Sequence, residues 1–308
     1  MRCLLLRHLQ LAGMAALPAI LSSVNIGLGL PNSDKSLHNG RLLVDIARRA
    51  EELGFSTLGT IGRVAFSTYE ELITLGAAAA VTERTGLMTD ILLAATREPV
   101  LLARQAATLD QISGGRFTLG IGAGVRPDDF SVTGYGFNDR GKRLDAALDL
   151  MHRAWRGETI PGTGELVTPR PVNGHSVPIM FGGQSDNAVR RVAKYGIGYT
   201  MGGGDPTALS GMMERVNAAW KEAGRDGRPQ FRVLSYFALG DDVAAEAEQN
   251  ILAYYGAWGP RIWAAAVKTP AQAKERVELF KATGSDELIM FMTAPAIEQA
   301  ERLAQAVL

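Results

Sequence analysis

The chain has 308 residues, 46% of them hydrophobic and 21% charged, and its 32 basic and 32 acidic side chains cancel. That length and balance belong to a globular chain able to bury a large core without staples. The neutral charge leaves no electrostatic footprint for nucleic acid or an anionic membrane, and a single cysteine, Cys3, excludes an internal disulfide and fits a cytoplasmic location.

Residues 1–23 stand apart. Arg2, Arg7 and His8 precede an apolar run over 9–21 that Gly13 and Pro18 interrupt. The run is too short for a membrane span and lacks a clear cleavage site, so it reads as an N-terminal extension rather than a signal peptide. Met14 is a second candidate start. The folded unit is expected over 24–308.

From there, short apolar runs alternate with helical patterns. A strand over 24–30 precedes a helix over 40–53, where Leu42, Leu43, Ile46, Ala47, Ala50 and Leu53 recur at helical spacing and Gly54 closes it. A strand over 57–61 precedes an alanine-rich helix over 69–83. A third strand, 87–93, leads to a helix that Pro99 opens and Gly114-Gly115 end. A fourth strand, 117–121, leads to a helix over 139–155. Residues 157–177 are rich in Gly and Pro and read as a surface excursion with a short hairpin. The alternation then resumes: strand 179–181 and helix 185–195, strand 197–201 and helix 206–223, strand 231–239 and helix 242–255. A further helix over 271–282, a strand over 287–292 and a helix over 296–307 complete the chain.

Eight strands, nearly all followed by a helix, imply a parallel sheet with right-handed crossovers, closed as a (β/α)8 barrel. The runner-up is an open doubly wound sheet. It would need a glycine-rich phosphate turn after the first strand, whereas Gly27 and Gly29 lie within that strand and no third glycine follows.

In a barrel, chemistry sits on the loops after the strands. After strand four, Gly120, Gly122 and Gly124 alternate, which leaves room on one face for a flat ring or for another backbone. After strand five, Gly182-Gly183-Gln184-Ser185 meets a helix start, where free N–H groups and the helix dipole favour a phosphate. An ordinary Ser185 cap is the structural alternative. Gly202-Gly203-Gly204-Asp205-Pro206 reads as a turn ending in an aspartate cap. There is no G-x-S-x-G elbow, P-loop or H-E-x-x-H, and the four histidines show no ligand spacing, so no metal is expected. Asp128-Asp129 and Asp241-Asp242 read as solvated loop ends or caps. His38 and Arg63, in the loops after strands one and two, are candidate pocket residues.

Three stretches carry a family resemblance: Arg97-Glu98-Pro99 with the following helix, residues 113–158, and residues 181–199. Together they resemble the luciferase-like flavin-dependent oxidoreductases, over roughly 24–308. The resemblance implies a barrel with an insertion after the fourth helix and a cofactor, reduced FMN or the deazaflavin F420, across its mouth. By position it places Ile91 and Leu93 behind the ring, with a cis peptide between Asp90 and Ile91. Ala123, Gly124 and Asp128 fall beside the cofactor. Gly182, Gly183 and Ser185 fall at its phosphate, which Arg140 also reaches unless it forms a salt bridge on its own helix.

Two departures bear on function. Many members carry an Asp or His pair at the end of strand two, where this chain reads Thr60-Ile61-Gly62-Arg63. Deazaflavin sugar oxidisers carry a Glu after the strand-four glycines, where this chain has Val125, so sugar-alcohol oxidation lacks its base. No single side chain stands out as catalytic, which suits chemistry carried by the cofactor. The leading expectation is a reduced-FMN-dependent monooxygenase of a small organic substrate, served by a separate flavin reductase and assembled as a homo-oligomer. The alternatives are an F420-dependent reductase or dehydrogenase, and a barrel that binds a flavin or a small ligand without turnover.

Overall fold

The computed structural model describes residues 23–308 apart from 161, 163 and 204, so the expected extension lies, except for Ser23, outside the described residues. In chain order the elements are β1 (Asn25–Gly29), α1 (Arg41–Leu53), β2 (Thr57–Thr60), α2 (Glu71–Ala79), β3 (Gly86–Thr89), β4 (Leu92–Leu93) and α3 (Pro99–Ile112). Then come β5 (Phe117–Gly122), α4 (Pro127–Ser131), α5 (Arg140–Trp155), β6 (Ile179–Phe181), α6 (Asp186–Tyr195), β7 (Gly198–Gly202) and α7 (Pro206–Glu222). The last are β8 (Gln230–Phe237), α8 (Ala244–Tyr255), α9 (Gly259–Ala265), α10 (Pro270–Thr283), β9 (Glu287–Met292) and α11 (Ile297–Val307).

Every strand pairing is parallel. β1 lies between β2 and β9, and the order continues through β8, β7 and β6 to β5. The ring closes because β5 also meets the third barrel strand, with Leu87 opposite Phe117 and Leu92 opposite Ile121. That strand is interrupted: β3 and β4 are its two halves, and the peptide between Asp90 and Ile91 is cis, where the resemblance implies one. The result is a closed eight-stranded (β/α)8 barrel, as the alternation of strands and helices requires.

Local chemistry explains the element boundaries. α1 buries Leu43, Ile46, Ala47 and Ala50 on one stripe and ends at Gly54, whose φ of 95° is left-handed. Asp205 caps α7 by accepting from the Thr207 and Ala208 N–H groups, with Pro206 following, as the turn reading expects. Inside the barrel, Met88, Met180, Ile289 and Phe291 are fully buried. A Cβ at Gly29 would fall 2.0 Å from the Phe291 ring, and one at Gly59 2.8 Å from it. These glycines are therefore holes that Phe291 fills, which is why β1 and β2 tolerate them.

Two details depart from the sequence reading. Among the described residues, 157–177 contain no strand, so the expected hairpin is absent; the segment is tied down by hydrogen bonds instead, from Val172 N–H to Asp110 (2.7 Å) and from Gln111 to the Arg170 carbonyl (2.8 Å). The short helices α4 and α9 were not legible as apolar periods, being 5 and 7 residues long. Among the described residues, no helix is long and apolar enough to cross a membrane.

Candidate functional site

A cavity of about 910 Å³ opens at the carboxyl ends of the strands, the end at which such barrels carry their chemistry. One wall is built from Ile91 and Leu93 of the interrupted strand and from the glycine-rich ends of β5 and β6. Further lining comes from α8, α9 and the turn between them, which supply Tyr254 and Tyr255, Ile262, and Trp258.

The strand-four glycines serve packing first. A Cβ at Gly120 would lie 1.8 Å from the Thr89 carbonyl oxygen, and one at Gly122 would lie 2.3 Å from the Ile91 side chain. Of the two readings open in the sequence, close backbone approach therefore holds for Gly120, while Gly122 seats Ile91. Gly182 is matched to the same side chain, with its Cβ position 2.9 Å from Ile91. Ile91 is thereby held between two strand ends and stands in the cavity wall.

The turn after β6 has the features an anion needs. Gly183 adopts a left-handed φ of 111°, and Ser185 caps α6 by accepting from the Ala188 N–H at 3.3 Å. That bond uses a lone pair of the serine oxygen and leaves its hydroxyl proton free to donate. The first N–H groups of the helix have no partner within it. Arg140 lines the same cavity, and the alternative open for it in the sequence, a salt bridge on its own helix, does not form among the described residues. It donates to the carbonyls of Gly124 (2.9 Å) and Phe137 (3.0 Å) and stacks on the Phe137 ring at 3.9 Å. Among the described residues it has no carboxylate partner. A phosphate therefore fits here: a left-handed glycine turn, a helix start and an uncommitted guanidinium share one wall.

The structure brings Ile91, Leu93, Ala123, Gly124, Arg140, Gly182, Gly183, Ser185 and Arg63 to one cavity. Two expected residues fall outside it. His38 is exposed in the loop after β1 and does not line the cavity. Asp128 points outward, with 56% of its side chain exposed, while its neighbour Asp129 is buried and lines the site. Arg63 joins both carboxylates, at 3.3 Å from Asp129 and in closer contact with Asp128. Asp129 also accepts from the Ala65 N–H at 2.8 Å. The pair reads in sequence as solvated, and half of it is not: an Arg63–Asp129 bond braces the loop after β2 against α4.

Asp90 is the residue that sequence reasoning passed over. It lines the cavity at the break between β3 and β4 and is 5% exposed. Its Oδ1 accepts from the Thr200 hydroxyl at 2.8 Å, and its Oδ2 is buried without a partner among the described residues. Burial pushes the carboxyl up to about 7, against the pull of the Thr200 hydroxyl and Arg232 and with a further push from Glu287. An acid in the middle of a strand, Leu87 to Leu93, whose other residues are apolar except Thr89, was the available signal. The aromatic wall was signalled too, by four aromatic residues between 254 and 263, at the end of the expected helix over 242–255 and in the segment just after it.

A family model described as luciferase-like monooxygenase matches residues 25–304. A protein of Mycobacterium tuberculosis, described only as uncharacterized, is 33% identical over 173 residues, 54% of this chain and 59% of the relative. The pyrimidine monooxygenase RutA of Allorhizobium ampelinum is 31% identical over 198 residues, 59% of this chain and 53% of the relative. The chain thus matches only about three-fifths of the length of these curated relatives. Among solved structures, an F420-dependent secondary alcohol dehydrogenase superposes with a TM-score of 0.75 at 19% identity, covering 93% of this chain and 98% of that one. The oxygenating constituent of 3,6-diketocamphane monooxygenase of Pseudomonas putida, in complex with FMN, gives 0.71 at 18%, covering 93% and 99%. At these identities the two structures speak for the fold.

Proposed function

The chain belongs to the luciferase-like monooxygenase family, whose members are oxidoreductases, and we propose that it is a reduced-FMN-dependent monooxygenase of a small organic substrate. The observation that carries this reading is the coincidence of three features in one cavity: the Ile91 wall, the Gly183–Ser185 turn and the uncommitted Arg140. Sequence similarity to a pyrimidine monooxygenase supports the oxygenase side.

When bound, reduced FMN supplies two electrons and activates molecular oxygen. The remaining roles fall to this chain. Gly182, Gly183 and Ser185, with Arg140, hold the phosphate. Ile91 and Leu93, in the cavity lining, would back the ring. Tyr254, Tyr255 and Ile262 close the opposite side and exclude water, which strengthens every charge interaction inside. Asp90, a lining residue whose buried carboxyl is pushed up to about 7, is the candidate in this reading to give or take a proton at the substrate. A separate flavin reductase is the expected source of the reduced cofactor.

The test is an anaerobic titration of the full chain with reduced FMN and with F420, followed by admission of air. Tight binding of reduced FMN, and oxygen uptake altered by the protein, is the expected outcome. Tight binding of F420 with no affinity for reduced FMN would replace the monooxygenase reading with a deazaflavin reductase or dehydrogenase.

A further inference from the structure

Four guanidinium groups line the cavity: Arg63, Arg126, Arg140 and Arg191. Arg63 is matched by Asp128 and Asp129, and Arg191 by Asp145 at 2.8 Å. Arg140 and Arg126 have no carboxylate partner among the described residues, and they serve different parts of the mouth. Arg140 stays on the β5 side, bonded to Gly124 and Phe137. Arg126 reaches across the opening to α8, where its Nη1 donates to the Tyr254 carbonyl at 2.9 Å.

Arg126 is held for a purpose that this one bond does not use up. Its guanidinium lies over the rings of Tyr254 (5.1 Å), Tyr255 (5.3 Å) and Trp258 (5.9 Å). Stacking on rings fixes the plane of the fork and removes water from its faces while leaving the N–H edge available. Among the described residues only one hydrogen bond is drawn from a group that carries five N–H donors. The surroundings are apolar: Leu234, Ile262 and Ile91 line the same space. The carboxylates in the lining are Asp90, drawn toward its neutral form by burial, and Asp129, already matched by Arg63. The cavity therefore carries a second cation without a carboxylate partner, held on the Tyr254 carbonyl of α8 rather than at Gly124 and Phe137 beside Arg140.

We propose that Arg126 is the substrate-anion site, and that the substrate is a small organic acid whose carboxylate pairs with the Arg126 fork while its apolar body lies between the tyrosines and Ile91. This deepens the flavin reading and rests on it for what faces the apolar body; the anion preference itself does not depend on the cofactor. A planar fork over rings suits a carboxylate in bidentate contact.

The experiment uses benzoate and its neutral isostere benzamide as probes, titrated into the full chain with and without FMN. Benzoate should bind about ten- to a hundredfold more tightly than benzamide, the range of charge-assisted hydrogen bonds. Arg126→Met should bring the ratio close to one, and Arg126→Lys should keep a reduced preference. In FMN-loaded protein the phosphate site is filled, so the preference that remains reports Arg126. Neither Arg126 variant should change the preference for FMN over riboflavin, whereas Arg140→Met should reduce it. Melting curves show whether Arg126→Met folds; if it does not, Arg126→Lys carries the test, with at least a threefold drop in benzoate affinity expected.

Equal binding of benzoate and benzamide by the unaltered chain would overturn the proposal. So would a preference that survives Arg126→Met, or benzoate affinity unchanged in Arg126→Lys. Loss of FMN preference in an Arg126 variant would assign this cation to the cofactor phosphate and overturn it as well. If FMN fails to bind while the Arg126-dependent preference for benzoate persists, the anion site stands and the flavin reading falls.

Discussion

Asp90 and Thr200 meet at 2.8 Å inside the barrel mouth, and the bond satisfies only one of the two Asp90 carboxyl oxygens. The groups that act on this carboxyl are few: Thr200 and Arg232 favour its charged form, Glu287 and burial oppose it, and it raises the Tyr236 and Tyr255 phenols in turn. The balance leaves it near pH 7, well above the 3.8 of a solvated aspartate.

A pH dependence of stability follows from that difference. Below about pH 4 both folded and unfolded chains hold the Asp90 proton, so the group has no effect. Between about 4 and 7 the unfolded chain loses the proton while the folded chain keeps it, so the Asp90 contribution falls as pH rises and levels off above 7. Asp90→Asn should therefore gain stability relative to the unaltered chain between pH 4.5 and 8, by an amount on the order of 2–4 kcal/mol. Denaturant melts of both proteins across that range would show it. Parallel curves would mean that Asp90 ionises normally.

At the β6–α6 turn, cap and ligand roles coexist on one hydroxyl. Ser185→Ala should cost about 0.5–2 kcal/mol of stability through the lost cap. It should also weaken FMN binding about tenfold through the lost donor. Gly183→Val should be more severe, because φ is 111° there and its Cβ would also press on Ala188 at 3.4 Å. Affinity measured beside melting separates the roles; reduced melting with normal FMN affinity in both variants would make the turn purely structural.

Arg63 offers a contrast between buried and exposed charge. Arg63→Ala would leave Asp129, with 1% of its side chain exposed, buried without its cation, and should cost about 3–5 kcal/mol. Asp128→Ala, at a carboxylate that is 56% exposed, should cost less than about 1 kcal/mol. Similar costs for the two, read from urea melts, would remove Arg63–Asp129 as the brace of this loop.

The glycines of β5 and β7 give a packing test. Gly120→Ala places a methyl 1.8 Å from the Thr89 backbone oxygen, so strands must move apart, and a loss of about 1–3 kcal/mol or more is expected. Gly202→Ala meets nothing within 4 Å and should stay within about 0.5 kcal/mol. Equal melting temperatures for the two variants would contradict the close approach of β3 to β5.

The barrel was legible because its signals are local. Strand runs such as 287–292 and helix stripes such as Leu43, Ile46, Ala47 and Ala50 repeat with fixed periods, and caps such as Asp205 and Gly54 mark the ends. The left-handed Gly183 turn and its Ser185 cap were legible for the same reason, since the two residues are near neighbours in sequence. What the sequence hid depends on partners far along the chain. Asp90 becomes a perturbed acid only because the barrel wall buries it, and its one hydrogen-bond partner there, Thr200, lies 110 residues away. Asp129 is buried only because Arg63 arrives from another strand end, and Arg126 is uncommitted only in relation to α8. His38 shows the reverse failure: a position on the right face of the barrel does not place a side chain in the cavity.

The central claim, a flavin held by its phosphate in the β6–α6 turn, is tested most directly by the ratio of FMN to riboflavin affinity. The two ligands share the ring and differ in the phosphate alone. Isothermal titration of the unaltered chain should give at least a tenfold preference for FMN, and the Arg140→Met, Ser185→Ala double variant should bring the ratio close to one. A ratio of one in the unaltered chain, or a preference that the double variant leaves intact, would contradict the placement of the phosphate.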